Sequence, residues 1–226
     1  MPGAALVPGA ELREMPMVAK AAARTGSNAR SALDALREEA TGCRRCPLWK
    51  PATQTVFGEG PADARLLFVG EQPGDQEDRA GHPFVGPAGQ LLDRALAEAG
   101  IDRAAIYVTN AVKHFKFEPR GKRRIHSKPN ASETEACRWW LDRERAIVRP
   151  HVTVALGATA AQSLLGRSTT ISGSRGRAIA LEDGSELWVT VHPSFLLRVP
   201  GEDRRAEEYR LFVADLERVR ERLAAL

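Results

Sequence analysis

Apolar residues along this chain fall into short, nearly continuous runs separated by longer stretches of helical period. Four runs, at 65–69, 106–109, 152–156 and 187–191, each give way to a glycine or a polar residue: Gly70, Asn110, Gly157 and His192. Runs this short, bounded by turn residues, predict strands covered on both faces. Between them, 88–99 places Leu91, Leu92, Ala95 and Leu96 on one stripe, 132–148 carries Trp139, Trp140 and Ile147, and 158–165 forms a third helical stretch. An earlier helix over 31–40 rests on Leu33 and Leu36, and a strongly charged closing helix over 203–223 has Leu211, Val213, Leu216 and Val219 available to dock. Strands alternating with helices predict an α/β fold: three layers, α/β/α, around a central, mainly parallel four-stranded sheet. In such a sheet the ligand lies beyond the carboxyl ends of the strands, where 70–74, Asn110 and His192 gather. The turn at Gly157 reads as packing between strand and helix, since one glycine is weak evidence for phosphate binding.

At 226 residues and 43% hydrophobic content the chain suffices for one domain, expected over 29–226. Residues 1–28, rich in Ala, Gly and Pro without a period, read as a disordered tail. No apolar run approaches the ~18 residues of a membrane span, and no signal-like apolar core follows the first residues, which predicts a cytoplasmic protein without membrane contact. The net charge of +4 is unevenly distributed: between 113 and 128 there are seven Lys/Arg and one acid, a local +6 that leaves the remainder at −2. A concentrated cationic segment favours a focused polyanion, nucleic acid ahead of an anionic membrane surface.

The only cysteines are Cys43 and Cys46, spaced Cys-x-x-Cys, and Cys137, with His114 between. An odd number in a reducing compartment argues against disulfides. Three thiolates and one imidazole complete a four-ligand metal or iron–sulfur site that pins both ends of the basic segment. Three separately packed thiols, a loop histidine at 114, or zinc in place of iron are the alternatives.

Gly70-Glu71-Gln72-Pro73-Gly74-Asp75 follows the first strand and leads to Pro83-Phe84-Val85-Gly86; Asn110 follows the second strand and His192-Pro193-Ser194-Phe195-Leu196-Leu197-Arg198 the fourth. In this order the motifs closely resemble the uracil-DNA glycosylase superfamily, from about Cys43 to the C-terminus. Cys-x-x-Cys with two further ligands is similar to the iron–sulfur branch, family 4, which implies a [4Fe-4S] cluster on Cys43, Cys46, His114 and Cys137. That branch ordinarily has a cysteine where this chain has His114. A histidine there, together with Lys122-Arg123-Arg124-Ile125-His126, resembles the UdgX group, whose members bind uracil in DNA and become covalently attached to it.

The resemblance implies uracil-containing DNA, single-stranded or flipped from a duplex, as partner, uracil as product and a monomeric protein. The turn from Gly70 to Asp75 presents Glu71 and Gln72 to the ligand. Phe84 supplies an aromatic face, and the Asn110 carboxamide reads the uracil edge, which cytosine inverts. His192 hydrogen-bonds the departing uracil oxygen with backbone N–H groups near Gln72 assisting, and Glu71 stabilises the cationic sugar or orients a nucleophile. His126 attacks the anomeric carbon in place of water, giving single-turnover capture. Lys122, Arg123 and Arg124 seat the segment on phosphates, and Arg198 follows the strand or fills the gap in the stack. Phe115 and Phe117 suit a stacking platform or a strand edge, and Trp139 and Trp140 the core and the cluster's shielding. Two other readings stay open: a conventional turnover uracil-DNA glycosylase of base excision repair, in which His126 is only a phosphate contact, and a non-catalytic iron–sulfur DNA-binding module.

Overall fold

In a computed structural model of the protein, residues 26–226 are described; residues 1–25, most of the expected tail, lie outside them. The strands, in chain order, are β1 (Leu66–Gly70), β2 (Ile106–Asn110), β3 (Phe117–Arg120), β4 (Arg123–His126), β5 (Val152–Leu156), β6 (Ile179–Ala180) and β7 (Glu186–Thr190). The helices are α1 (Gly26–Thr41), α2 (Asp75–Ala80), α3 (Pro87–Glu98), α4 (Ala131–Val148), α5 (Ala158–Leu165), α6 (Ile171–Ser174), α7 (Pro193–Leu196) and α8 (Glu202–Ala224). Helix α1 therefore begins within the stretch assigned to the tail. Among the described residues no helix is long and apolar enough to cross a membrane.

The four expected strands form a parallel array, with β6 added antiparallel at one edge, in the order β2-β1-β5-β7-β6. The sheet thus has five strands where four were expected, because a two-residue edge strand is too short to show a period. Alternate positions on each strand supply two separate cores. Leu67, Val69, Tyr107, Ala155, Leu187 and Val189 pack with α1, α4 and α5, and Leu66, Phe68, Ile106, Val108, Val154 and Leu156 with α3, α7 and α8. From β1 the chain moves to β2 on one side and later to β5 on the other, so the crevice at the strand reversal opens beside β1. The Lys122–His126 stretch, expected as a loop, is instead part of an antiparallel hairpin in which Phe117 faces His126 in register.

A polar network interrupts the first core. Glu144 of α4 and Lys113, just after β2, are both fully buried and paired at 2.5 Å. The Glu144 carboxylate also accepts from Gly58 N at 3.0 Å, Tyr107 Oη at 3.1 Å and Thr109 Oγ1 at 3.0 Å. Lys113, counted with the cationic segment, is therefore a core residue.

Helix α3 packs against a constrained turn. Phe84 has φ 59°, a left-handed conformation that costs a side-chain-bearing residue about 1–2 kcal/mol. Gly89 of α3 sits where any Cβ would overlap the Phe84 carbonyl. In an ordinary helix Gly→Ala stabilises by about 1 kcal/mol. Here Gly89→Ala is expected to destabilise by about 2 kcal/mol through overpacking, read as a lower urea midpoint.

Candidate active site

At the carboxyl ends of the strands lies a cavity of about 970 Å³ lined by, among others, Glu71, Phe84, Asn110, His126, His192 and Arg198. Gly70 makes their convergence possible: a Cβ there would overlap Asn110 Oδ1 and come within 2.8 Å of Phe84 Cζ. The left-handed turn at Phe84 brings its ring to 6.4 Å from that of His192, with 28° between the planes. Asn110 is buried, and among the described residues its carboxamide has no hydrogen-bond partner, which leaves it free to read a base edge.

His192 caps α7. Its Nδ1 lies 3.1 Å from Ser194 N and 2.8 Å from Ser194 Oγ. A backbone N–H can only donate, so Nδ1 is the acceptor and a neutral ring carries its proton on Nε2. Burial pushes the His192 pKa down to about 4, against the opposing pull of Glu71. A neutral Nε2–H donor is thus maintained at physiological pH.

Glu71 is held from two sides. Thr159 Oγ1, on α5, donates to Oε2 at 2.5 Å, and His126 Nε2 lies 3.2 Å from Oε1. Burial raises the Glu71 pKa, but the hydrogen bonds from His126 and Thr159 outweigh it, and the net direction is downward. The carboxylate is therefore ionised. Thr159 is a site residue that the sequence did not reveal; its only signal was the glycine before α5, whose φ of +93° lets β5 turn at once into the helix.

The hairpin that delivers His126 is tied down at its base and along one face. Gln72, expected to face the ligand, has its side-chain amide engaged with the hairpin's two ends: it donates to Lys116 O and Ser127 O, both at 3.1 Å, and accepts from Lys116 N at 3.0 Å. Arg124, expected on phosphates, is turned inward and pairs with Asp75 and with Asp78, the latter at 2.6 Å. Its guanidinium also lies over the rings of Phe115 and Phe117, at 5.4 and 5.0 Å. Asp75 lines the cavity, yet its carboxylate is engaged by Arg124 and by Arg79 at 3.0 Å. Phe115 is buried, so this pair of rings supports the hairpin. Of the basic segment, Lys113, Lys116 and Arg124 are internally paired, while Arg120, Lys122 and Arg123 are exposed at the hairpin turn and Lys128 at the cavity; Arg198, from outside the segment, is also exposed at the cavity.

All three cysteines are buried and free. Trp140 Nε1 donates to Cys43 Sγ and Lys113 N to Cys137 Sγ, each at 3.1 Å. Burial pushes the Cys137 thiol up to about 12, with Cys46 and Cys43 near enough to add to the shift. His114 is buried too, with Nε2 2.9 Å from Thr55 Oγ1 and Nδ1 buried without a partner. Buried soft donors with N–H···S bonds and an orphaned ring nitrogen suit an iron–sulfur group. Among the described residues no three His, Cys, Asp or Glu side chains form a group able to hold a single metal ion.

The profile of the Uracil DNA glycosylase superfamily matches residues 57–217. The chain is 39% identical to the Type-4 uracil-DNA glycosylase of Thermotoga maritima, over 83% of this chain and 93% of the relative. It is 38% identical to that of Pyrobaculum aerophilum, over 74% of this chain and 86% of the relative, and 38% identical to that of Archaeoglobus fulgidus, over 78% and 87%.

The depressed pKa of His192 carries a stability signature. The unfolded chain binds a proton there near pH 6.5 and the folded chain only near pH 4, so the contribution is complete above the higher value and is lost as pH falls through that window. His192→Asn, which retains a capping side chain, is expected to flatten the decline in urea midpoint between these two pH values.

Proposed function

The chain belongs to the Uracil DNA glycosylase superfamily and its type-4 branch, and is a uracil-DNA glycosylase; from that premise we propose that its excision ends in covalent capture of the abasic sugar by His126. The observation that carries this reading is the 3.2 Å approach of His126 Nε2 to Glu71 Oε1 inside the base cavity. A hydrolytic water needs a hydrogen bond to that carboxylate. Thr159 donates to Oε2 and the imidazole lies at Oε1, so the ring nitrogen competes with water for this carboxylate.

The substrate deoxyuridine is single-stranded or leaves the duplex at a cost of a few kcal/mol. Uracil stacks on Phe84 and meets the Asn110 carboxamide. As the N1–C1′ bond breaks, its electron pair leaves with uracil and the Nε2–H of His192 stabilises the developing negative charge. Glu71 takes the proton from Nε2 of His126, the lone pair so freed bonds to C1′, and the departing uracil anion takes a proton from solvent. The product is an N-alkylated imidazole with no leaving pathway, and free uracil. Exposed Lys122, Arg123 and Arg198 are placed to contact phosphates, whereas Arg124 holds the hairpin.

Denaturing electrophoresis with a uracil-containing oligonucleotide should show a heat- and detergent-resistant adduct, absent with thymine, whose digested peptide carries the sugar on His126. His126→Ala should abolish it, and His126→Ser should admit water and release uracil repeatedly. His126→Ser with Glu71→Gln should be poor at both. An adduct that persists in His126→Ala, or many equivalents of uracil released by the unaltered protein, overturns the proposal.

We further infer that Cys43, Cys46, His114 and Cys137 hold a [4Fe-4S] cluster with a structural task, since these residues come from the segment before β1, the turn after β2 and α4. When bound it supplies a cross-link among three distant segments. Anaerobically prepared protein should be brown and contain iron and acid-labile sulfide in equal amounts, and Cys137→Ser should lose both and melt at a lower temperature; a colourless zinc protein would contradict the assignment.

A further inference from the structure

One buried ammonium connects the core to the residue that reads the base. Lys113 Nζ has three protons and meets three acceptors: Thr109 Oγ1 at 2.6 Å, Asn110 O at 2.8 Å and Glu144 Oε2 at 2.5 Å. Beyond β2 the chain continues to donate to its neighbour, Ala111 N to Gly70 O at 2.9 Å and Val112 N to Glu71 O at 3.0 Å. The carbonyl of Asn110 instead accepts from the ammonium. Thr109 and Asn110 are consecutive strand residues, so their side chains leave opposite faces. Thr109 Oγ1 is bound on its side by both Lys113 and Glu144, which turns the Asn110 carboxamide toward Gly70 and the cavity. Lys113 thus holds the chain on both sides of the Asn110 Cα, through the Thr109 side chain before it and the Asn110 carbonyl after it.

We infer that Lys113 and Glu144 are positioning residues for base selection: they aim the Asn110 carboxamide at the flipped base without touching DNA. This rests on the reading of Asn110 as the group that recognises the uracil edge. Stability alone is a poor reason for the pair, because apolar side chains of similar volume generally replace a buried ion pair without loss. The same substitution separates the two roles.

In Lys113→Met/Glu144→Met the fold should persist, with circular dichroism and affinity for a thymine-containing oligonucleotide close to those of the unaltered protein. Single-turnover release of uracil should fall about tenfold, and the ratio of uracil to cytosine release with it. A folded double variant that keeps the parental ratio within about twofold overturns the inference. If the double variant does not fold, Glu144→Gln, which retains the shape but removes the charge facing the ammonium, must lower the ratio several-fold, and an unchanged ratio in it is equally fatal. Asn110→Ala distinguishes the levels: a parental ratio there defeats the reading of Asn110 and the inference with it, whereas a collapsed ratio in Asn110→Ala beside a parental one in the double variant defeats the anchoring alone.

Discussion

The ion pair between Lys113 and Glu144 ties the core, the buried thiols and the end of β2 that carries Asn110 to one point. Placing either charge alone in the interior costs several kcal/mol, and the pair is tolerable because the polar capacity around it is filled. All three ammonium protons have acceptors, and the carboxylate gathers Gly58 N, Tyr107 Oη and Thr109 Oγ1 besides. Gly58 has to be glycine, since a Cβ would overlap Glu144 Oε1. Burial, then the charge of Glu144, drives the Tyr107 phenol well above its ordinary pKa, so it stays a donor. Lys113 also donates its backbone N–H to Cys137 Sγ and thereby belongs at once to the core, the thiol group and the end of the strand that carries Asn110.

The second constraint concerns His126. A two-stranded ribbon is marginal in water on its own. Here Gln72 closes its base with three hydrogen bonds, and Arg124 fastens one face to Asp75 and Asp78 over the rings of Phe115 and Phe117. Strand alternation then sorts the hairpin's residues. Arg124 and His126 share the face that meets Asp75 and Glu71, with the His126 side chain still half exposed, while Arg123 and Ile125 lie on the outer face with Lys122 at the turn. In the proposed capture, holding the ring in place beforehand would lower the entropy lost on attack at the sugar.

Much of this was legible along the chain. The four parallel strands, the helices between them and the gathering of Glu71, Asn110 and His192 at one end followed from short apolar runs and the residues that close them. The hairpin did not, because its residues are charged and carry no apolar period; it is held by Gln72 and Arg124 from outside its own sequence. Gln72 and Asp75, expected to bind substrate, line the cavity with side chains engaged with the hairpin. Thr159 was hidden because a hydroxyl after a glycine has no distinguishing pattern until β5 and β1 lie side by side.

Sequence alone thus determined the layering, the sheet's direction and the end at which chemistry occurs, since these depend on periods and turn residues within a few positions of one another. Only the tertiary structure decided which of seven clustered cations remain free, which carboxylate faces which imidazole, and which proton His192 carries. Those outcomes depend on partners remote in sequence: Lys113 meets Glu144 across 31 positions and Thr159 meets Glu71 across 88. Whether a charge is a surface contact or a core strut is set by what folding places against it, and local pattern holds no record of that.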